Sequence, residues 1–394
     1  MFRRIGLLLL LISLVVSCQS SADPNFEAGT ALNTIPGVPV DIPPDQNPTH
    51  SATQIPALPL VQTPTNTPTK TATLTPDANA ITPTSIPTTT LLFTGVIVPA
   101  RCVQAAIDAK GDSDYLYDEV RQIISQADLA VGTLNATISD FPPRTGCLPT
   151  YVLVGGSENA DALGRAGFDL MSVATNHIKN CGISNCGDRA FFDTLDNLTR
   201  VGIGPVGAGE NLQEAMQSVV REINGVRFGF VSLGQLEPLV FAAEDEPGIA
   251  VLNEENLSSA IEAAKQVSDV VIVMPHWGPE EVPRPNWSQL DLARLAVEAG
   301  ADLVVGNHTH VLQAIQEIEG VKVFYGLGNF VFDQNWALDH QQGVILVVTF
   351  QGTEMIDYKL IPTHVDFDGL VHIAGEVEAL EILNRIDEVS RSLP

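Results

Sequence analysis

Three stretches decide the fold: VVIVMPHWGPEE at 270–281, ADLVVGNHTH at 301–310 and VKVFYGLGNFVFD at 321–333. Each is an apolar, β-branched run that stops at polar residues able to bind a ligand. His276 follows the first run, His308 and His310 the second, and Asn329 the third. Short buried strands separated by helical segments predict a parallel sheet. Ligands of such sheets sit beyond the carboxyl ends of the strands. Three imidazoles delivered to one sheet edge are the raw material of a metal site.

Outward from these runs, the two ends of the 394-residue chain differ. MFRRIGLLLLLISLVVSC places Arg3 and Arg4 before an apolar run of roughly a dozen residues, short for a membrane span and suited to a secretory signal. Its end, LVVSC, resembles a lipobox. That implies cleavage before Cys18, a lipid on that cysteine, and an extracytoplasmic, membrane-anchored protein. Residues 19–90 hold half of the chain's 26 prolines and many Thr, Asn and Ala. Such a composition buries too little apolar surface to offset ordering entropy, so it predicts an extended tether. Residues 91–394 are enough for one α/β domain. A formal net charge of −27 argues against nucleic acid and against adhesion to anionic lipid.

Four cysteines remain in the folded part: Cys102, Cys147, Cys181 and Cys186. In an exported domain an even number favours disulfides. Of the three connectivities, Cys181–Cys186 within one short loop, with Cys102–Cys147, is preferred. A four-cysteine zinc site competes, but no C-x-x-C is repeated.

Periodicity predicts strands at 91–98, 128–135 and 168–175, and helices at 115–127, 158–167, 186–202, 256–268 and 287–300. A helix is expected over NLQEAMQSVV, an antiparallel pair across Asn224–Gly225, a second such pair near the carboxyl end, and a final helix. The alternation of strand and helix points to α/β with antiparallel additions.

FTGVIVPAR, ADLAVGTLN, GFDLMSVATNH, GIGPVGAG, HWGPEE, AGADLVVGNHTHVLQ and FYGLGNFVFDQ occur in this order between Leu91 and about Gln334. With them the chain resembles the CapA family of capsule and poly-γ-glutamate synthesis proteins, within the calcineurin-like metallophosphoesterases. The resemblance implies a sandwich of two mixed β-sheets flanked by helices, with the motifs on one edge. It also implies two metal ions about 3.5–4 Å apart clamping a phosphoryl group. Asn176, His177, His276, His308 and His310 stand at metal-site positions of that pattern, with His276 and His310 as catalytic candidates. Arg101 matches an Arg closing the first motif and is a candidate anion binder.

Two acidic positions of the pattern are lost. Its Gly-Asp reads Gly95–Val96 here, and its Asn-Leu-Glu reads Thr133–Leu134–Asn135. Two divalent ions at that spacing repel by ~19 kcal/mol at an effective dielectric of about 20, which carboxylates normally offset. Imidazoles and amides alone therefore imply one divalent ion (Zn, Mn or Fe), or none. Glu280 is the best-placed substitute carboxylate, with Glu281 and Asp333 behind it. Trp277 is expected to pack, and Asn329 to shape the pocket.

Three functions follow as expectations: an accessory factor in capsule or poly-γ-glutamate assembly, a hydrolase with a reduced metal site, and a non-catalytic binding module. The first implies contact with an anionic surface polymer or its synthase complex. At −27 that contact requires a local basic patch, for which Arg101, Arg144, Arg165, Lys179 and Arg284 are the candidates.

Overall fold

The computed structural model describes residues 86–181 and 186–393. Cys18, the stretch 1–18 read as a signal and the stretch up to residue 85 read as a tether lie outside the described residues. All that follows concerns the second of the chain's two units, Ala80–Pro394.

Two mixed sheets form the centre. The first orders its strands as Val371–Ile373, Glu354–Val365, Gln342–Gln351, Thr88–Ile97, Leu129–Leu134, Leu170–Ser172 and Gly204–Val206, with Asn329–Val331 also pairing to Thr88–Ile97. The second runs Ile315–Ile318, Val321–Phe324, Leu303–Val305, Val270–His276, Val226–Gly234, Val219–Ile223. The predicted parallel sheet is present: Val270–His276 pairs in parallel with Leu303–Val305, which pairs in parallel with Val321–Phe324.

Alternation along each strand builds the layers. Leu91, Phe93, Leu129 and Val131 of the first sheet meet Phe228, Phe230, Val270 and Ile272 of the second in one buried cluster. The intervening residues face outward. Leu92, Ala130 and Met171 pack under the helices Cys102–Lys110, Glu158–Ala166 and Arg189–Arg200 through Val103, Ile107, Leu163 and Leu198. Val271, Val273 and Val304 pack under Glu254–Lys265 and Trp287–Ala299 through Leu257, Ile261, Ala293 and Ala296. Ile382 and Ile386, one turn apart on the last helix Glu376–Arg391, extend the inter-sheet core. The expected sandwich of two mixed sheets flanked by helices is what forms.

Local chemistry sets the helix ends. Asn286 accepts from the Gln289 N–H while the Gln289 side chain accepts from the Asn286 N–H, a reciprocal cap. Gly300 closes the same helix at φ 103°.

Several elements differ from expectation. Strand pairing begins at Thr88, inside the stretch read as tether. NLQEAMQSVV makes only the short helix Leu212–Ala215, because Val219 and Val220 pair with Phe230 and Gly229. The 115–127 helix is a 3₁₀ turn, Asp114–Tyr117, and a short helix, Arg121–Ser125. Tyr115, Leu116 and Tyr117 are all buried, and three consecutive buried residues do not fit a one-faced α-helix. The run 321–333 is not one strand. Val321–Phe324 belongs to the second sheet and Asn329–Val331 to the first, so the chain crosses between sheets at 325–328.

Candidate functional site

The crossing places the functional motifs between the two sheets. Gly95 lies so close to the returning chain that an added Cβ would stand 2.2 Å from the Gly328 carbonyl oxygen. The Val96 N–H donates to that oxygen at 3.0 Å. Val96 is thereby registered against Asn329 on one side and Thr133 on the other. The first, second and last motifs meet there.

On the second sheet, His276 is the last residue of its strand. The ladder continues one step: the Asn307 N–H donates to the Pro275 carbonyl, and the Trp277 N–H to the Asn307 carbonyl. This sets His276 beside His308. Trp277 packs, as expected; its ring stacks on Tyr325 at 5.7 Å and its indole N–H donates to the Tyr325 carbonyl at 2.9 Å. His308 and His310 have φ of 104° and 58°. Non-glycine residues there carry roughly 1–3 kcal/mol of strain each, a conformation that persists where surrounding structure enforces it and that clusters at functional sites.

The imidazoles are held differently. His276 Nε2 lies 3.0 Å from Asn176 Oδ1 and 3.1 Å from His308 Nδ1. His310 Nδ1–H donates to Asn329 Oδ1 at 2.8 Å, since the Asn329 amide N–H groups donate to Gln334 Oε1 and the His340 carbonyl. That leaves His310 Nε2 without its proton, 3.9 Å from Glu280, which stands equally far from His308 Nε2. His177 Nδ1 contacts Asn180 Oδ1 at 2.9 Å.

Burial pushes His276 and His308 well below the usual imidazole range, and neighbouring imidazoles push the same way. Burial brings His310 down to about 4 and lowers His177. At neutral pH all four are uncharged and keep a lone pair for a ligand. Glu280 is raised by burial and by the adjacent Glu281.

The first sheet's share of the site is different. Val96 is fully buried and apolar. Asn135 is also fully buried, and its Oδ1 accepts from the His177 backbone N–H at 3.1 Å. Its other end, the unpartnered Nδ2, is a donor and cannot ligate a cation. Asn307, which the motif reading passed over, donates from Nδ2 to Thr133 Oγ1 at 2.8 Å and ties the two sheets together. Its place directly before His308 was the available signal.

A pair of metal ions does not fit these residues. Among the described residues no group of three or more His, Cys, Asp or Glu side chains could hold a metal ion. What converges is a mixed set of Asn176 Oδ1, His276 Nε2 and His308 Nδ1. Its 3.0–3.1 Å contacts both centre on His276 Nε2 and are hydrogen-bond distances; tetrahedral ligands about 2.1 Å from one ion would stand about 3.4 Å apart, so the set would have to open slightly to take one. Of the five predicted ligands, these three come together; His310 and His177 are held by amides.

Two further expectations are corrected. Arg101, expected to bind an anion, is buried with its Nε 3.1 and 3.2 Å from the Asp333 carboxylate oxygens, and its Nη1 donates to the Thr150 carbonyl at 3.0 Å. Asp333 also accepts from the Cys102 N–H, so it is no spare metal ligand. The basic patch does not form either. Arg144 pairs with Asp108 and Glu158, Arg165 with Asp114 and Lys179 with Asp188, while Arg284 donates to the Ser392 carbonyl. The disulfides are Cys102–Cys147 and Cys181–Cys186, the preferred pairing.

The motif order has counterparts in known proteins. The chain is 30% identical over 255 residues to the PGA biosynthesis protein CapA of Bacillus subtilis, covering 64% of this chain and 66% of that one. It is 30% identical over 278 residues to the capsule biosynthesis protein CapA of Bacillus anthracis, covering 68% and 66%. It thus spans just under two thirds of the length of either relative. A phosphatase of known structure from Mycoplasma pneumoniae overlaps at 13% identity and a TM-score of 0.44, covering 76% of this chain and 100% of that one; so loose an overlap carries no argument. The family of the bacterial capsule synthesis protein PGA_cap matches residues 90–334, the span in which both sheet edges and every motif of the site lie. The chain belongs to that family.

Proposed function

We propose that this protein is an extracytoplasmic accessory factor in the biosynthesis of a capsule or poly-γ-glutamate polymer, anchored through a lipid on Cys18. The observation that carries the reading is the family match over 90–334, together with the convergence of Asn176, His276 and His308 at its centre. Because the candidate cations are already paired, direct electrostatic capture of a polyanion is the weaker route. Contact with the synthase complex is the stronger one.

A hydrolase with a single ion is the second reading, favoured by the uncharged imidazoles and by the approach of Asn176 and His308 to one atom of His276. Asn176, His276 and His308 would hold the ion, Zn, Mn or Fe, which would polarise a bound oxygen. The chain's own contribution is to set His276 beside His308 through the backbone ladder of Pro275, Asn307 and Trp277 and to keep Glu280 near His308 and His310.

Deleting the gene and measuring surface anionic polymer tests the accessory role. A large fall is expected, and unchanged polymer would defeat the reading. Complementation with a His276→Ala, His308→Ala double variant separates the two readings: restored polymer leaves binding alone, and absent polymer requires the imidazoles.

A further inference from the structure

Beside the imidazoles, a recess of about 280 Å³ opens between the loop carrying Tyr151 and the segment carrying Glu237 and Leu239, with Asn176 and His177 in its lining. Two of its walls are apolar side chains left in solvent: Tyr151 is 87% exposed and Leu239 is 89% exposed. Tyr151 is not on a loose loop. The preceding carbonyl, Thr150, receives Arg101, and Cys147 is bonded to Cys102 at the start of a helix.

The polar groups of the recess have a definite character. Lys179 is engaged by Asp188 at 2.6 Å and by the Pro247 carbonyl at 2.8 Å. Glu237 has no ion-pair partner among the described residues. A glutamyl carboxylate or a phosphoryl group would meet Glu237 with no free cation beside it. Asn180 Oδ1 already accepts from the Leu153 N–H and contacts His177, and Asn176 Oδ1 faces His276. Both amides therefore have N–H donors left to offer, while Glu237 offers acceptors. The complement is an uncharged ring with an apolar face and groups that both donate and accept.

We propose that this recess is a saccharide subsite, with Tyr151 as the platform on which one sugar ring stacks and with Asn176, Asn180 and Glu237 engaging its hydroxyl or acetamido groups. The assignment rests on the accessory reading only in taking the ligand to be part of a surface polymer, and it is independent of metal.

Calorimetry and saturation-transfer NMR on the purified protein, with N-acetylglucosamine tetramer and maltotetraose as probes and poly-γ-glutamate as counter-probe, test it. At least one saccharide is expected to bind with little dependence on salt. Tyr151→Ala should weaken that binding roughly tenfold, and Tyr151→Phe should retain it. Binding of poly-γ-glutamate alone, no binding of either saccharide, or an unchanged affinity in Tyr151→Ala overturns the proposal. Loss of polymer on gene deletion alongside any of these results would leave the accessory role standing and remove only the subsite.

Discussion

The two sheets contribute unequal halves to one site. The second sheet delivers His276, His308 and His310 fully buried and uncharged, with backbone strain at two of the three. The first sheet delivers Val96, which has no donor atom, and Asn135, whose oxygen is taken by a backbone N–H. Where the metallophosphoesterase pattern would join the halves through ions and carboxylates, here neutral contacts span them: Asn176 to His276, Asn307 to Thr133 and Ser172 to Ser232. The lesson is that a site edge can hold its shape without bridging carboxylates where side-chain hydrogen bonds span the two sheets.

The largest effect is expected where the amino-terminal motif is clamped to the carboxyl-terminal one. Asp333→Ala leaves the buried Arg101 guanidinium unpaired and should cost about 3–5 kcal/mol, read as a lower urea midpoint with an unchanged slope. A loss under 1 kcal/mol would show that the clamp does not hold the two motifs together. Next, Cys102→Ala with Cys147→Ala opens a closure spanning 45 residues and should cost about 2–4 kcal/mol by the same measurement. The amino-terminal half alone should feel it: hydrogen exchange should rise around Tyr151 and stay unchanged around His308.

A smaller effect comes from pH and concentrates on the imidazole half. Folded His310 titrates near 4, and His276, His308 and His177 are shifted in the same direction. Above about pH 6.5 both folded and unfolded states are neutral at these groups. Below it the unfolded chain takes up protons that the folded one refuses, so stability falls as pH drops from about 6.5 towards about 4. Each imidazole contributes a slope of at most about 1.4 kcal/mol per pH unit. Metal-free protein followed by thermal unfolding across this range checks it, and His310→Gln should flatten the slope. A subtler change would even out the halves. Val96→Asp with Asn135→Glu should raise the ion count by one without moving the imidazoles, measured by metal analysis after dialysis against zinc.

Much of this was legible in the sequence because the information is local. The run at 270–276 ends on its histidine, the run at 303–305 reaches His308 after only Gly306 and Asn307, and the helices 254–265 and 287–299 carry their own caps. The departures at Val96 and Asn135 are visible only against the family motifs that the chain resembles, not from the residues alone. What escaped depends on partners distant in sequence. CVQAAIDAK becomes a helix by packing Val103 and Ile107 under the first sheet, although its own pattern is weak. The break at 325–328 arises because Val96 offers Asn329 a ladder in the other sheet. Arg101 looked free until Asp333, 232 residues away, came to meet it. No local pattern encodes the contact of Asn176 with His276 across 100 residues.

Metal content bears most directly on the central claim, that among the described residues only the set of Asn176, His276 and His308, which straddles the two sheets, is placed to take an ion. Protein purified without chelators should carry no more than one equivalent of transition metal per chain, lost in His276→Ala and retained in Asn135→Ala. Two equivalents in the wild-type chain would contradict the account.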